Sequence, residues 1–158
     1  MISTEDFVIR LLVAMTAGFI IGIERQLHNK NGGLRTNTLV SVGAAIFVLI
    51  SLRLSAADGG DSTRVIGQVV TGIGFLGAGV ILHQGVSIIG ITTAATIWCS
   101  AAIGCMSAAG YFIETAISTI LIIIINLFVG IPIGCNHSPN SGSNFFMPVN
   151  ASVNFVSS

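Results

Sequence analysis

The sequence predicts an all-α fold, a polytopic membrane bundle of about five transmembrane helices. Three observations carry that prediction. The 158 residues are 53% hydrophobic and only 8% charged, whereas soluble domains carry about 25% charged residues. Val65 to Ile113 contains no Asp, Glu, Lys or Arg, a run that needs about two bilayer crossings. The apolar residues gather into five segments separated by short polar connectors.

The first segment covers Phe7–Ile23 and the second Thr38–Leu54. Both are short for a spanning helix of ~17–25 residues, and Arg10 and Arg53 can snorkel to an interface to complete them. The third covers Val65–Leu82, the fourth Val86–Ala109 and the fifth Tyr111–Ile133, with the boundary at Ser107–Gly110 the weakest. Residues 1–133 form the membrane domain on this reading, and 134–158 a short uncharged tail rich in Asn and Ser, expected to be flexible. Met1–Ile9 lacks the basic start and small-residue cleavage site of a signal peptide, so the first segment is expected to stay. The connector Glu24–Asn37 holds Arg25, Lys30 and Arg35, against Arg53 and Arg64 in the next. By the positive-inside rule this puts the N-terminus outside and the C-terminus in the cytoplasm.

Gly72–Gly79 reads Gly-Ile-Gly-Phe-Leu-Gly-Ala-Gly, which has the glycine spacing of a dinucleotide-binding loop. That motif needs a preceding strand and an acidic residue about 20 positions on, and the positions there are Ile91-Thr-Thr-Ala94. In a charge-free span, glycines are packing surfaces. Gly18 and Gly22 on the first segment, Gly72, Gly74, Gly77 and Gly79 on the third, and Trp98 on the fourth are therefore expected helix-packing residues. Each small-residue stripe either packs inside the bundle or faces another protein, a second copy included.

Polar residues stand out against this background. Glu24 follows an apolar helix directly, and a carboxylate at a helix end in the interface seeks a cation; Arg25 and Arg35 are the expected partners. Gln68, Thr71, Thr92, Thr93, Thr96 and Asn126 are the neutral polar groups within spans. Such groups ordinarily bond a helix carbonyl or a neighbouring helix, but the amide of Gln68 cannot satisfy itself within one helix. Gln68 and Thr71, with the threonines of the fourth segment, form either structural contacts or the lining of a polar path. Trp98 is expected to pack with its indole N–H bonded across helices, and Cys99 beside it to be an inert thiol.

Several function classes drop out. A formal net charge of zero removes the electrostatic case for nucleic acid. The only lysine is Lys30 and no Gly-Lys-Ser/Thr occurs, so no phosphate-binding loop of the ATPase type exists. No Asp or Glu lies deep in a span, where a Mg²⁺ path would want hard oxygen ligands. Cys99, Cys105 and Cys135 lack metal-ligand spacing, and His28, His83 and His137 are scattered. No catalytic residue, metal or cofactor is expected.

Four motifs carry a resemblance: Gly22-Ile-Glu-Arg-Gln; Gly33-Leu-Arg-Thr-Asn with Leu39-Val and Gly43-Ala; Gln68-Val-Val-Thr-Gly-Ile-Gly-Phe-Leu-Gly-Ala-Gly-Val-Ile; and Thr92-Thr-Ala-Ala-Thr-Ile-Trp-Cys-Ser-Ala-Ala-Ile-Gly. In order and spacing they resemble the MgtC/SapB family of bacterial inner-membrane proteins over residues 7–130. Trp98-Cys99-Ser100 and Arg35-Thr-Asn37 lie on the MgtC side of that family. The resemblance implies a helical inner-membrane domain with an outside N-terminus, and a role in growth at low Mg²⁺ and in survival inside macrophages. It further implies a non-enzymatic regulator that restrains the F-type ATP synthase by binding its membrane sector, rather than a Mg²⁺ transporter. Functional positions carry over as Glu24, Arg25 and Arg35, with Asn37 in the same motif, and as Thr92 and Cys99. At Thr92 a relative can carry Asn, so a contact through that amide would be altered here. Many members continue into a cytoplasmic domain resembling ACT modules, and the tail here has no counterpart to it. The partners expected are the lipid bilayer and a membrane protein, with a homo-oligomer as a further possibility. Two other functions stay open on the sequence: a small transporter or channel with a polar path through the third and fourth helices, and a homo-oligomeric scaffold using Gly18 and Gly22.

Overall fold

A computed structural model describes residues 2–84 and 87–129. It contains five helices: α1 (Thr4–Leu27), α2 (Leu34–Asp58), α3 (Thr63–Val80), α4 (Ile91–Ala109) and α5 (Phe112–Val129). A three-residue antiparallel pair, β1 (Leu82–Gln84) and β2 (Ser87–Ile89), lies between α3 and α4, with Leu82 opposite Ile89. The fold is the expected all-α bundle. Four helices are long and apolar enough to cross a membrane, and α5 adds a further apolar helix.

The helices alternate in direction, and contacts fix which ends meet. At one end the Arg10 guanidinium donates to the Ala108 carbonyl (2.7 Å), and Arg53 donates to Ser3 (3.3 Å). At the other end the α1–α2 connector reaches the first turn of α4. α4 is the hub, packed against all four other helices.

Small residues let the backbones close in. The main core cluster includes Ala14, Ala44, Ala45, Ala101 and Ala108 around Val48 and Leu49. A β-carbon on Gly22 would stand 2.6 Å from the Leu34 backbone, and one on Gly18 would stand 2.9 Å from the Asn37 carbonyl oxygen. Gly104 of α4 meets the Ser41 carbonyl of α2 in the same way. The Ser41 hydroxyl ties α2 to the Ala14 carbonyl of α1 (2.8 Å), and the Ser107 hydroxyl ties α4 to the Arg10 carbonyl (2.7 Å). This is the close-packed mode of membrane helices, in which van der Waals contact and interhelical hydrogen bonds replace the hydrophobic drive. The exterior is correspondingly apolar, with Phe47, Phe75, Ile113 and Phe128 all more than 60% exposed. Such a surface suits lipid and not water.

Several boundaries differ from the sequence reading. α1 and α2 run past the hydropathy limits, so Glu24 and Arg25 lie on the last turn of α1 and Arg35 and Asn37 on the first turn of α2. Hydropathy marks where residues turn polar, whereas the helix persists as long as its backbone bonds do. α4 starts at Ile91 and not near Val86, because Gly90 breaks the chain direction with φ +97°. That left-handed conformation suits glycine, and a β-carbon at Gly90 would also strike the Val80 carbonyl oxygen. Gly110, at φ +92°, ends α4 within the Ser107–Gly110 boundary. The tail 134–158 and Cys135 lie outside the described residues.

Arg10 joins Arg53 and Arg64 at the N-terminal end, so the basic residues divide evenly between the two ends. The carboxylates do not. Glu5, Asp6, Asp58, Asp61 and Glu114 belong to the end that holds the N-terminus, and Glu24 alone to the other.

Candidate functional site: the polar end around Arg25

Arg25 is a charged residue buried at the polar end of an otherwise apolar bundle. Only 1% of it is exposed. Its Nη2 donates to the Thr93 hydroxyl on α4 (2.6 Å) and to the Asn31 carbonyl in the connector (2.9 Å). Its Nε and Nη1 are buried and have no partner among the described residues. The guanidinium thus ties the end of α1 to its own connector and to the start of α4.

Asn37 lies on the first turn of α2 and is fully buried. Its amide nitrogen donates to the Gly32 and Gly33 carbonyls, and its Oδ1 accepts from the Ser100 hydroxyl of α4 (2.8 Å). Every hydrogen-bonding edge of this side chain is occupied, so Asn37 is a clamp between α2 and α4 and is not free to meet a partner.

Glu24 is 7% exposed, yet neither carboxylate oxygen makes a hydrogen bond. Its nearest cation-capable neighbour is the His28 Nδ1, 3.5 Å away. The expected pairing with Arg25 or Arg35 does not form. His28 stands one turn along α1 on the same face, while Arg25 is rotated about 100° away and its guanidinium is drawn to Thr93. Arg35 is exposed on α2.

A cavity of about 300 Å³ opens between the connector and α4, lined by Arg25, Asn29, Lys30, Asn31, Ile89, Gly90, Thr92 and Thr93. Thr92 is exposed there, beside buried Thr93. Asn31 is the residue of this site that the sequence does not single out, while Lys30 enters there only as connector charge and Thr93 only as a neutral polar group within a span. Polarity within an apolar span marks Thr93 together with Thr92, but not its bond to Arg25. The Asn31 contribution runs through a backbone carbonyl, which no side-chain pattern reveals.

The remaining candidates lie elsewhere. Gln68 and Thr71 face outward on α3, and the Thr71 hydroxyl bonds the Gly67 carbonyl of its own helix (3.0 Å). Thr93 and Thr96 are buried on α4, with the Thr96 hydroxyl 3.4 Å from the Asn126 Oδ1 of α5. These polar groups therefore do not line one path through the third and fourth helices. Gln68 borders a second cavity, about 460 Å³, between α2 and α3, whose other walls are apolar. Trp98 is 48% exposed on the flank of α4 and is not a buried packing residue. Cys99 is half-buried and Cys105 buried, both as free thiols.

The glycines divide sharply. Gly18 and Gly22 are consumed inside the bundle, so that stripe is not available to a second copy. Gly77 meets Ala94 of α4, with 3.6 Å to an added β-carbon. Gly72, Gly74 and Gly79 would have nothing within 4 Å of a β-carbon, and so do not pack within the chain.

Together, a lipid-suited exterior, a small-residue core and one polar end define a multi-pass membrane protein. The MgtC family model matches residues 11–131. The chain belongs to the MgtC family. It is 46% identical over 123 residues to the protein MgtC of Salmonella typhimurium, covering 78% of this chain and 52% of that protein. The protein MgtC of Brucella abortus is 51% identical over 115 residues, covering 72% and 47%. An uncharacterised protein of Synechocystis is 45% identical over 123 residues, covering 78% and 52%. The chain thus spans about half the length of the curated relatives it matches. No solved structure matches it.

Proposed function

We propose that this protein is a non-enzymatic regulator of the bacterial inner membrane, acting by contact with another membrane protein within the bilayer. The observation that carries this reading is the outward face of α3. A helix packed only against its own bundle turns its large apolar residues to lipid and its small and polar ones inward. α3 departs from that pattern: its outward residues include the large apolar Val70, Phe75 and Leu76 but also Gln68, Thr71, Gly72, Gly74 and Gly79, while Ile66, Val69, Ile73 and Gly77 lie toward the bundle. An amide facing hydrocarbon without a partner is costly, and exposed glycines allow another helix to approach closely. Such a face is built to be covered.

Family membership supplies the setting. The reading places this protein in adaptation to low Mg²⁺ and in survival within macrophages. Its partner is the membrane sector of the F-type ATP synthase, whose activity it restrains. The end carrying Arg25, Lys30 and Arg35 faces the cytoplasm, where basic segments meet an anionic leaflet, and the carboxylate-rich end with the N-terminus faces outward. Single cysteines introduced in a background without native cysteines check the orientation. Asn31→Cys reacts with an impermeant thiol reagent only in inverted vesicles, and Asp61→Cys only in intact spheroplasts; the reverse pattern refutes the orientation.

Co-purification from mild detergent checks the partner. Synthase membrane subunits are expected to enrich with the wild type and at least fivefold less with Gln68→Leu, while inverted vesicles make ATP more slowly when the wild-type protein is added. No enrichment and no change in ATP synthesis would sink the proposal.

A further inference from the structure

We propose that the cavity between Arg25 and the start of α4 binds a phosphate group. This goes beyond the regulatory reading and does not depend on it. Three independent features converge on the cavity. The first is Arg25 itself, whose Nε–H and Nη1–H groups are buried and have no acceptor, although the side chain lines the cavity wall. A buried guanidinium with unused donors is expensive to leave uncompensated, and its planar array of N–H donors suits an oxyanion.

The second is the N-terminus of α4, a 19-residue helix that begins at Gly90 without any side-chain cap. Its first backbone bond inside the helix runs from Ala94 to the Gly90 carbonyl, which leaves the N–H groups of Ile91, Thr92 and Thr93 without a partner inside the helix, and Gly90, Thr92 and Thr93 line the cavity. Free N–H groups and the helix dipole make such a terminus an anion site. The third is Lys30, half-buried, which lines the same cavity together with exposed Thr92. Among the described residues the wall carries two cations and no carboxylate, and Glu24 acts on the Arg25 charge from outside the cavity. At about 300 Å³ the space is at the low end of ligand sites, roughly 300–1,000 Å³, which fits a phosphate with little attached to it.

A phosphate monoester on a lipid headgroup and free inorganic phosphate present the same chemistry, which the choline-capped diester of phosphatidylcholine does not, and the experiment separates them. The full chain in detergent micelles is titrated with inorganic phosphate, against sodium chloride at equal ionic strength, and thermal unfolding is followed. In parallel, the chain is placed in phosphatidylcholine nanodiscs with or without phosphatidic acid. A phosphate-specific rise in melting temperature in micelles assigns the site to soluble phosphate. A rise seen only with phosphatidic acid assigns it to the lipid headgroup.

Two variants keep the test falsifiable without disturbing the buried Arg25 contacts. Lys30→Gln weakens the apparent affinity at least tenfold. Thr92→Asp puts a carboxylate where the anion would sit; it is expected to raise the melting temperature without phosphate, because an acid in a first helical turn is favourable, and to abolish the response to added phosphate. The proposal is overturned if neither phosphate nor phosphatidic acid raises the melting temperature, if chloride does so equally, or if both variants respond like the wild type.

Discussion

A single buried arginine organises the polar end of this molecule, and a single asparagine locks it. Arg25 was legible as a candidate because it follows an apolar run, but its partners were not. One is a backbone carbonyl in the connector, and the other is a threonine 68 positions away. Asn37 is a partner or functional candidate through the Gly33-Leu-Arg-Thr-Asn motif that carries the family resemblance. The motif is polar for an internal reason, since Asn37 and Ser100 satisfy each other across two helices. Replacing Asn37 with Leu leaves the Ser100 hydroxyl and two connector carbonyls without it. A buried polar group deprived of its partner costs about 1–3 kcal/mol, so Asn37→Leu is expected to destabilise the protein by at least that much. Ser100→Ala should cost less, about 0.6 kcal/mol, the average for interhelical hydrogen bonds in a membrane. Reversible unfolding in mixed micelles measures both, and equal stability of Asn37→Leu and wild type would rule out the clamp.

At the scale of the helix, the same residue type does two opposite jobs. On α1, glycine is where it is because α2 leaves no room for a β-carbon. On α3, most of the glycines face open space. Periodicity placed both stripes correctly on their helices, but it could not tell which stripe faces inward, because small residues serve either side of a membrane helix equally well. The difference is measurable by substitution. Gly22→Leu is expected to prevent stable folding, since the Leu34 backbone lies 2.6 Å from an added β-carbon and backbone cannot move aside cheaply. Gly74→Leu should leave the melting temperature unchanged in detergent. If Gly74→Leu unfolds the protein as severely as Gly22→Leu, the outward assignment of that face is wrong. Helix ends tell a similar story. Those set by glycine at positive φ, Gly90 and Gly110, were shifted or blurred in the sequence because hydropathy does not register backbone conformation.

For the whole molecule, the bundle was the most legible feature of all, because composition alone excludes a water-facing surface. Four motifs distributed along the chain pointed to the family, and the family model and the relatives agree with them. The polar path through the third and fourth helices was the reading that failed. It assumed that polar residues in neighbouring spans face each other, whereas α3 turns Gln68 and Thr71 away from the threonines of α4. What remains is a compact unit in which α1, α2 and α4 hold the structure and α3 shows the bilayer a face where glycines and a glutamine stand among large apolar residues. That face should be where a membrane partner sits. The direct test is site-specific photocrosslinking in native membranes, with the photoreactive residue at Phe75 on α3, 81% exposed, or at Ile117 on α5, 61% exposed. A discrete adduct with an ATP synthase membrane subunit from position 75, absent from position 117, is the predicted result; lipid adducts alone at position 75, or the same protein adducts from both positions, would contradict it.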